Sequence, residues 1–343
     1  MTLINRIAFA ATLIVAALTL RAVEYSSELN ITYCTVDGRE LKLNAFLPKG
    51  VDKPAPVMVD IHGGWWEGGA KAMSIEHMWG GGNLAPIAMS RGIAFFSIDY
   101  RLAKAGATTP DQWKEGGFPE EIRDCRNAIR FIRKNATRFN IDPERIGCFG
   151  GSAGSHLSAM CAVVPEDFDD GGPTDDLKGV SAKVCNAFSF VGPWDFVDQW
   201  NDAPNDVLPD GTFRKAPGNK VDKDGNVMLD KNGRPMQMMD DARPRHRRNF
   251  KGIIPDTEEH KALYRKMSPI GHVRKDVAPL LICDGELDPI VPGVPGKSIH
   301  EKFQAVGADT TYWMSPKAGH AFPSGEGFPK VLGDFLDRTL KLK

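Results

Sequence analysis

The sequence predicts an α/β fold with a mostly parallel central sheet that is covered by helices on both faces. Short apolar runs of strand length alternate along the chain with longer segments whose apolar residues recur at helical spacing. This alternation is typical of βαβ units. The runs 56–61 and 278–283 have the pattern of buried strands, which favours a sheet that is covered on both faces. A length of 343 residues with 42% hydrophobic content suits one large domain with an insertion.

The predicted elements begin with a β-hairpin. Leu29 to Pro48 contains two alternating runs joined at Asp37-Gly38, a dipeptide that favours a tight hairpin turn. Strands and helices then follow in turn: strand 56–61, a helix around 84–91, strand 93–100, a helix that begins near 118–119, strand 145–149 and the helix after it, strands 184–191, 278–283 and 310–315, and a closing helix 328–340. Sequential strands joined by helices predict parallel pairing.

A polar segment between Asn201 and His260 interrupts this alternation. It is rich in Gly, Pro and Asp, and its Asp224-Gly225 and Asn232-Gly233 turns predict a small hairpin or meander. A long segment without periodicity in a compact domain usually has a functional role or is disordered. We therefore expect a lid-like insertion, about residues 200–262, after the sixth strand and over the carboxyl edge of the sheet.

Gly150-Gly151-Ser152-Ala153-Gly154 is a G-x-S-x-G pentapeptide between strand 145–149 and an apolar helical segment. A strand that turns sharply into a helix leaves the serine on a tight bend, with its hydroxyl projecting from the sheet. Only small residues fit around such a turn. Ser152 is therefore a candidate nucleophile, although glycine and serine are also common in ordinary turns.

A serine hydroxyl needs a base to remove its proton, and the base needs a carboxylate to orient it. Both candidates lie just beyond predicted strands: Asp288 follows strand 278–283, and His320 follows strand 310–315. Because the carboxyl ends of parallel strands meet at one edge of a sheet, we expect both side chains to converge there with Ser152.

Other residues compete for these two roles. Asp284 and Glu286 share the loop of Asp288, but Asp284 is nearer the strand, where it would cap or turn it. His156 lies one helical turn after Ser152, so we expect it to support the elbow from behind. The remaining histidines are expected to be structural or solvated.

Backbone amides are the expected donors to the negative charge that develops on a substrate carbonyl oxygen. Strand 56–61 leads into His62-Gly63-Gly64-Trp65-Trp66, where the glycines let amides approach a ligand with no β-carbon in the way. The residue after the serine supplies another amide, at a helix N-terminus. His62 is expected to brace the loop by hydrogen bonds. The candidate oxyanion-hole residues are Gly63, Gly64, Trp65 and Ala153.

Taken together, these motifs resemble the α/β-hydrolase superfamily. The residues that carry the resemblance are His62-Gly63-Gly64, Asp99-Tyr100-Arg101-Leu102, Gly150 to Gly154, Asp288 and His320. Within the superfamily the chain is most similar to hormone-sensitive-lipase-like carboxylesterases and to bacterial feruloyl and acetyl-xylan esterases. The similarity runs from about Leu29 to Leu340, with an interruption between about Trp200 and Lys261.

The resemblance implies an α/β-hydrolase fold and hydrolysis of carboxylic esters through an acyl-serine, with no cofactor and no metal. It makes Ser152, Asp288 and His320 the nucleophile, acid and base. Lipase-like relatives often have a third glycine where Trp65 stands, whereas Trp66 fits a variant in which tryptophan follows one residue later. This difference favours the feruloyl and acetyl-xylan branch, and it leaves open which amides of the loop face the oxyanion.

The expected substrate is a small-molecule or polysaccharide-linked ester. Trp66 and Trp194 follow strands that end at the same edge, so their flat rings are candidate pocket residues, although packing of loops would explain them equally well. Two other functions remain open. An amidase or peptidase would use the same three residues, and a hydrolase fold can also serve as a non-catalytic binding module.

Charge and cysteine content narrow the function classes. A net charge of −1 gives no bulk electrostatic attraction to nucleic acid or to an anionic membrane. The basic cluster Arg243 to Arg248 is balanced by Asp240 and Asp241, so we expect a solvated face. The six cysteines lack metal-like spacing, and we expect buried thiols.

The N-terminus predicts export. Asn5-Arg6 precedes an uncharged apolar run from Ile7 to Leu20, which is too short to span a bilayer and suits a secretory signal. We therefore assign residues 1–22 to a signal peptide and 23–343 to the hydrolase domain, in a secreted or periplasmic protein. Retention of the run as a short membrane anchor is the alternative.

Overall fold

Eight strands form one sheet in the order β1-β2-β4-β3-β5-β6-β7-β8. The computed structural model describes residues 24–78, 81–105, 107, 109, 111–112, 116–168, 175–201, 243–288, 290–291 and 296–342. The strands are β1 (Tyr25–Val36), β2 (Arg39–Pro48), β3 (Ala55–Ile61), β4 (Ala94–Ile98), β5 (Ile141–Gly151), β6 (Ala187–Phe190), β7 (Leu280–Gly285) and β8 (Thr310–Ser315). Each predicted strand is present, with its ends shifted by a few residues at most.

The N-terminal hairpin forms as predicted. Strands β1 and β2 pair antiparallel, with Val36 opposite Arg39. The two turn residues both have positive φ, 51° at Asp37 and 76° at Gly38. This is the backbone of a two-residue turn whose twist matches that of the strands. The hairpin attaches to the sheet through antiparallel pairing of β2 with β4.

The other strands pair in parallel, and the chain changes direction across the sheet at β3. Strand β3 lies between β4 and β5 and is parallel to both. The chain therefore adds β4 on one side of β3, then crosses to add β5 on the other. Ligands in open α/β sheets bind at such a point, beyond the carboxyl ends of the strands. The segments that leave β3 and β5 are the predicted oxyanion loop and the predicted elbow.

Helices cover both faces of the sheet, as predicted. The described helices are α1 (Gly81–Met89), α2 (Glu120–Lys134), α3 (Ala136–Phe139), α4 (Ala153–Val163), α5 (Phe196–Asn201), α6 (Arg243–Asn249), α7 (Glu258–Lys266), α8 (Gly296–Ala305) and α9 (Phe328–Thr339). Val57 and Val59 of β3 belong to one apolar cluster, with residues of α2, α4 and α8. Met58 belongs to a second cluster, with residues of α1 and α9. Alternate residues of β3 thus enter two separate cores.

The predicted insertion and the predicted signal peptide lie largely outside the described residues. Of the insertion, α6 and α7 are described, whereas residues 202–242, which include the predicted hairpin, are outside the description. Cover of the site by this segment stays a prediction. Residues 1–22 are also outside the description. In the part of the chain that is described, no helix has the length and apolar character needed to cross a membrane.

The cysteines are free thiols, and five of the six are buried. Cys125 and Cys161, for example, lie in the apolar cluster that contains α2 and α4. This agrees with the expectation from their positions in apolar segments, where a free cysteine packs as a small hydrophobe.

One charged residue lies in the middle of the sheet. Asp60 of β3 is 2% exposed, and its Oδ2 accepts a hydrogen bond of 2.5 Å from the Ser97 hydroxyl. Its Oδ1 has no hydrogen-bond partner. Burial raises the pKa of the Asp60 carboxyl from 3.8 to about 7. The folded chain therefore holds this proton more tightly than the unfolded chain.

We predict that Asp60→Asn stabilises the protein at pH 8 but not at pH 4. The free energy that Asp60 contributes to folding is fully present below the unfolded pKa near 4 and is lost as the pH rises towards 7. The loss is at most about 4 kcal/mol. Urea unfolding at several pH values would show the advantage of Asp60→Asn growing between pH 4 and 8. Asp52→Asn, at an exposed position, is the control; an advantage of Asp60→Asn that did not change with pH would contradict the prediction.

Candidate active site

Ser152 lies on a sharp turn between β5 and α4. Its backbone has φ 57° and ψ −124°, a region that costs a non-glycine residue about 1–3 kcal/mol. The main chain holds it there: the Ser152 amide donates to the Phe190 carbonyl at 3.1 Å, and the Ser152 carbonyl accepts from the His156 amide at 3.2 Å. The strand, strained turn and helix are the context that the G-x-S-x-G motif predicts.

The elbow packs directly against the end of β3. A β-carbon added to Gly154 would lie 1.9 Å from the Ile61 carbonyl oxygen and 2.9 Å from that of His62. Real β-carbons do not approach backbone oxygens so closely, so glycine is required at this contact. The first turn of α4 and the segment that follows β3 are thereby held side by side.

We call residues His62 to Gly69 the oxyanion loop. The Tyr100 hydroxyl donates to the His62 carbonyl at 2.9 Å, and the two rings stack at 4.3 Å. His62 Nδ1 lies 2.8 Å from the Gly63 carbonyl oxygen. Because a carbonyl can only accept, Nδ1 carries the proton. Burial lowers the pKa of His62, which favours this neutral form. The prediction that His62 braces the loop is confirmed.

The hydrogen bonds to the carbonyls of His62 and Gly63 orient the backbone amides of the residues that follow. In a trans peptide the C=O and N–H groups point in opposite directions. Anchoring the carbonyls of His62 and Gly63 therefore directs the amides of Gly63 and Gly64 away from Tyr100 and the His62 ring. None of the hydrogen bonds described for the chain uses the amide of Gly63, Gly64 or Trp65 as a donor. The Ala153 amide, as the first of α4, has no acceptor within its helix.

The oxyanion loop has an unusual backbone. Gly64 has φ 112°, and both Trp65 and Trp66 have φ 59°. Bulky residues rarely adopt left-handed conformations, and two in succession need support from their surroundings. Part of it is local, since the Gly64 carbonyl accepts from the amides of Glu67 and Gly68 at 3.1 and 3.0 Å.

The predicted acid and base are hydrogen-bonded to each other. His320 Nδ1 lies 2.8 Å from Asp288 Oδ2, and both side chains are 10% exposed. Asp288 Oδ1 accepts from the amides of Ile290 and Val291 at 2.8 and 3.3 Å. Since the carboxylate accepts from Nδ1–H, the basic nitrogen of His320 is Nε2, the tautomer that a general base requires.

The loops that carry Asp288 and His320 are tied together. Amides of Glu286 and Leu287 donate to the carbonyls of Ser315 and Ala318 at 3.1 and 2.8 Å. A β-carbon on Gly285 would lie 2.2 Å from the Gly319 carbonyl oxygen, so the loops touch through their backbones. The geometry of each loop therefore depends on the other loop and on the pairing of β7 with β8.

Asp284 has a different role from Asp288. Its carboxylate accepts from the Tyr312 hydroxyl at 3.1 Å and from the amides of Gly296 and Lys297. These amides begin α8, so Asp284 caps that helix. Burial raises the pKa of Asp284. The sequence-based preference for Asp288 over Asp284 agrees with this geometry.

The structure thus pairs His320 with Asp288 and packs Ser152 beside the oxyanion loop. The hydrogen bonds described for Ser152 are made by its main chain. All three residues lie beyond the carboxyl ends of parallel strands, namely β5, β7 and β8. The contact between Ser152 and His320 stays a prediction.

The expected substrate contacts of Trp66 and Trp194 need correction. The two side chains are 1% and 2% exposed. Trp66 packs edge-on against Phe118, His156 and Phe196 with ring centroids 5.3 to 5.5 Å apart. A ring enclosed in this way supports the oxyanion loop from inside and does not face a ligand. The packing alternative considered for both tryptophans is the one observed.

His156 belongs to the same buried cluster. Its Nε2 donates to the Met267 carbonyl at 2.7 Å, and burial lowers its pKa to about 3. It therefore supports the elbow as a neutral side chain, as expected from its position one turn after Ser152.

The basic cluster of α6 is not the solvated face that the sequence suggested. His246 is fully buried, the guanidinium of Arg245 lies 4.7 Å from the centre of the Trp65 ring, and Arg248 pairs with Glu67. The local sequence gives no signal for these contacts, because Glu67 is 181 positions away from Arg248. Asp240 and Asp241 balance the charge of the cluster in the sequence, and this balance favours the interpretation as a solvated face.

The arrangement supplies a nucleophile on a strained turn, an oriented imidazole and unpaired backbone amides, which together suit acyl transfer. Among the described residues, no group of three or more His, Cys, Asp or Glu side chains is placed to hold a metal ion.

Comparison with known proteins identifies the family of the chain. The BD-FAE family model matches residues 43–303, most of the chain. The chain belongs to the BD-FAE family. Its sequence is also similar to Esterase LipC of Mycobacterium tuberculosis, with 26% identity over 276 residues that cover 80% of this chain and 55% of that protein. Esterase LipQ of the same organism is 23% identical over 78% of this chain and 50% of its own length. This BD-FAE chain thus spans about half the length of these curated relatives.

Solved structures share the α/β-hydrolase fold. A truncated carbohydrate esterase from gut microbiota superposes with a TM-score of 0.67 and 24% identity, over 94% of this chain and 99% of that chain. Esterase 2 from Thermogutta terrifontis superposes with a TM-score of 0.57 and 20% identity, over 93% of both chains. The fold expected from the sequence is confirmed for this BD-FAE member.

We predict that Asp288→Asn lowers kcat on an activated ester by roughly 10⁴-fold, because an amide favours the wrong tautomer of His320. Asp284→Asn should leave kcat within about threefold and lower the melting temperature, because it weakens the cap of α8. Steady-state kinetics and thermal melts of both variants check this. A larger loss of kcat in Asp284→Asn than in Asp288→Asn would reverse the assignment of the acid.

Proposed function

We propose that the protein is a serine hydrolase that cleaves carboxylic esters through an acyl-serine intermediate. The observation that carries this proposal is the Asp288–His320 hydrogen bond of 2.8 Å, at the same edge of the sheet as the Ser152 elbow and the oxyanion loop. The named esterases among its relatives support the same reaction class.

In the first half of the proposed reaction, Ser152 Oγ bonds to the ester carbonyl carbon while its proton passes to His320 Nε2. The negative charge on the carbonyl oxygen is stabilised by the Ala153 amide and by amides of Gly63 to Trp65. Asp288 stabilises the imidazolium. Collapse of the intermediate breaks the ester C–O bond, and the alcohol leaves with the proton from His320.

In the second half, water replaces the alcohol. His320 Nε2 takes a proton from water as its oxygen bonds to the acyl carbon, and the same amides hold the second oxyanion. When the acyl–serine bond breaks, the proton returns to Ser152 Oγ and the carboxylic acid leaves. The enzyme regains its starting state with one ester and one water consumed.

We propose acetyl or feruloyl esters of plant polysaccharides as the substrate class. Membership of the BD-FAE family and the structural likeness to a carbohydrate esterase support this choice. An amidase or peptidase would use the same groups, but the relatives considered above are named as esterases. A non-catalytic binding protein is not favoured either, since the chain has a candidate for each of the three catalytic roles.

We predict that Ser152→Ala lowers kcat on p-nitrophenyl acetate by roughly 10⁶-fold, by analogy with serine-protease variants. Wild-type protein should release acetate from acetyl-xylan or ferulate from methyl ferulate faster than it cleaves matched anilides. It should also be labelled by a fluorophosphonate, and Ser152→Ala should not. Folded variant protein with more than about one per cent of the wild-type rate would refute the role of Ser152.

We also propose that the protein is exported, on the strength of the basic and apolar pattern of residues 1–22. Expression in a Gram-negative host with osmotic-shock fractionation should recover mature protein outside the cytoplasm, beginning near residue 23 by N-terminal sequencing. Recovery of cytoplasmic protein with an intact N-terminus would contradict the proposed export.

A further inference from the structure

Helix α6 lies against the oxyanion loop and contacts it at several points. The strongest contact is a two-bond ion pair: Arg248 Nε and Nη2 donate to the Glu67 carboxylate oxygens at 2.5 and 2.9 Å. The side chains of Arg248 and Glu67 are 17% and 10% exposed. A bidentate pair of this kind fixes both distance and orientation, unlike exposed single-bond pairs.

Two further residues of α6 contact Trp65. The Arg245 guanidinium lies 4.7 Å from the centre of the Trp65 ring. Asn249 Nδ2 lies 3.5 Å from the Trp65 carbonyl oxygen, and it also donates to the Arg245 carbonyl at 2.9 Å. The helix therefore contacts the ring and the main chain of Trp65, and the side chain of Glu67 two residues later.

These contacts fall on the part of the loop whose backbone conformation needs support from its surroundings. Gly64, Trp65 and Trp66 all have positive φ, and Glu67 ends this run. The Gly64 and Trp65 amides are candidate donors to the oxyanion. The contact of the Gly63 carbonyl with His62 directs the Gly64 amide, whereas the α6 contacts act on the residues after it and restrain the backbone that carries the Trp65 amide.

We propose that Arg248, through its ion pair with Glu67, is a positioning residue that holds the oxyanion loop in the conformation needed for catalysis. The inference rests on the proposed function. Arg248 does not touch the reacting atoms in this account; it acts through Glu67. A segment that follows the sixth strand thereby supports donors that follow the third strand.

The test compares Glu67→Gln with Glu120→Gln. Glu120 forms the matched control pair, since its carboxylate lies 2.6 Å from Lys251 Nζ just after α6 and joins that segment to α2 instead of the oxyanion loop. Glu67→Gln should lower kcat on p-nitrophenyl acetate about 10- to 100-fold with KM within about twofold, because misplaced oxyanion donors affect mainly the transition state. Glu120→Gln should retain the wild-type kcat.

Binding of an alkyl trifluoromethyl ketone separates positioning from general destabilisation. Its serine adduct carries an oxyanion, so its Ki should rise in Glu67→Gln by the same factor as kcat/KM falls. Arg248→Lys, which keeps the charge but loses the two-bond geometry, should lie between Glu67→Gln and wild type. The exchanged pair Glu67→Arg with Arg248→Glu should recover part of the loss.

The inference is overturned if folded Glu67→Gln keeps kcat within twofold of wild type, if its Ki for the ketone is unchanged while kcat falls, or if Glu120→Gln loses as much. Should Glu67→Gln fail to fold, Arg248→Lys with unchanged kcat and Ki has the same meaning. Failure of the proposed function is distinguishable, because wild-type protein and Glu120→Gln would then both leave the ester intact.

Discussion

The site depends on two places where backbone touches backbone with no room for a β-carbon. At Gly154 the first turn of α4 meets the Ile61 carbonyl, which places the elbow beside the oxyanion loop. At Gly285 the end of β7 meets the Gly319 carbonyl, which places the loops of Asp288 and His320 together. Strand β6 joins the two pairs, since the Ser152 amide bonds to Phe190 and the Val191 amide bonds to Cys283. Main-chain contacts thus place the elbow beside the start of the oxyanion loop, and the loop of Asp288 beside the loop of His320.

Three residues with a strained backbone lie where the chemistry is expected. Ser152, Trp65 and Trp66 all have positive φ, and each such residue costs about 1–3 kcal/mol. Compensation comes from burial and from contacts between distant segments. Trp66 is enclosed by aromatic rings, and Glu67 next to it is held by Arg248. An extended or helical loop would avoid the cost but would not expose several amides towards one point.

The sequence predicts those features that are encoded by local chemistry. Asp37-Gly38 predicts its turn, the apolar runs predict the strands, and small residues around Ser152 predict the elbow. The positions of Asp288 and His320 after late strands suffice for their pairing, because parallel strands end at one edge. The proposed support of the oxyanion loop by α6 could not be predicted in this way. Arg248 and Glu67 are distant in sequence. A run of arginines beside aspartates is as typical of a solvated surface as of a segment that packs against a loop. Exposure was likewise not encoded locally: Trp66 and Trp194 follow strands as pocket residues would, yet packing by Phe118 and Phe196 buries Trp66.

The buried cluster behind the oxyanion loop contains Trp66, His156 and His246. This cluster is electrically neutral. The pKa values of His156 and His246 are lowered to about 3 each, mainly by burial, and the charge of Arg245 contributes to the shift of His246. Both imidazoles are therefore uncharged at neutral pH and act as polar packing around Trp66. The positive charge that α6 brings to the loop then comes from its arginines. Arg248 is neutralised by Glu67, whereas Arg245 lies over the ring of Trp65. A cation over this ring favours negative charge nearby, and the proposed reaction would place an oxyanion at the loop amides. Helix α6 thus contacts the oxyanion loop in two ways, through an ion pair of Arg248 and through the guanidinium of Arg245 over an aromatic ring.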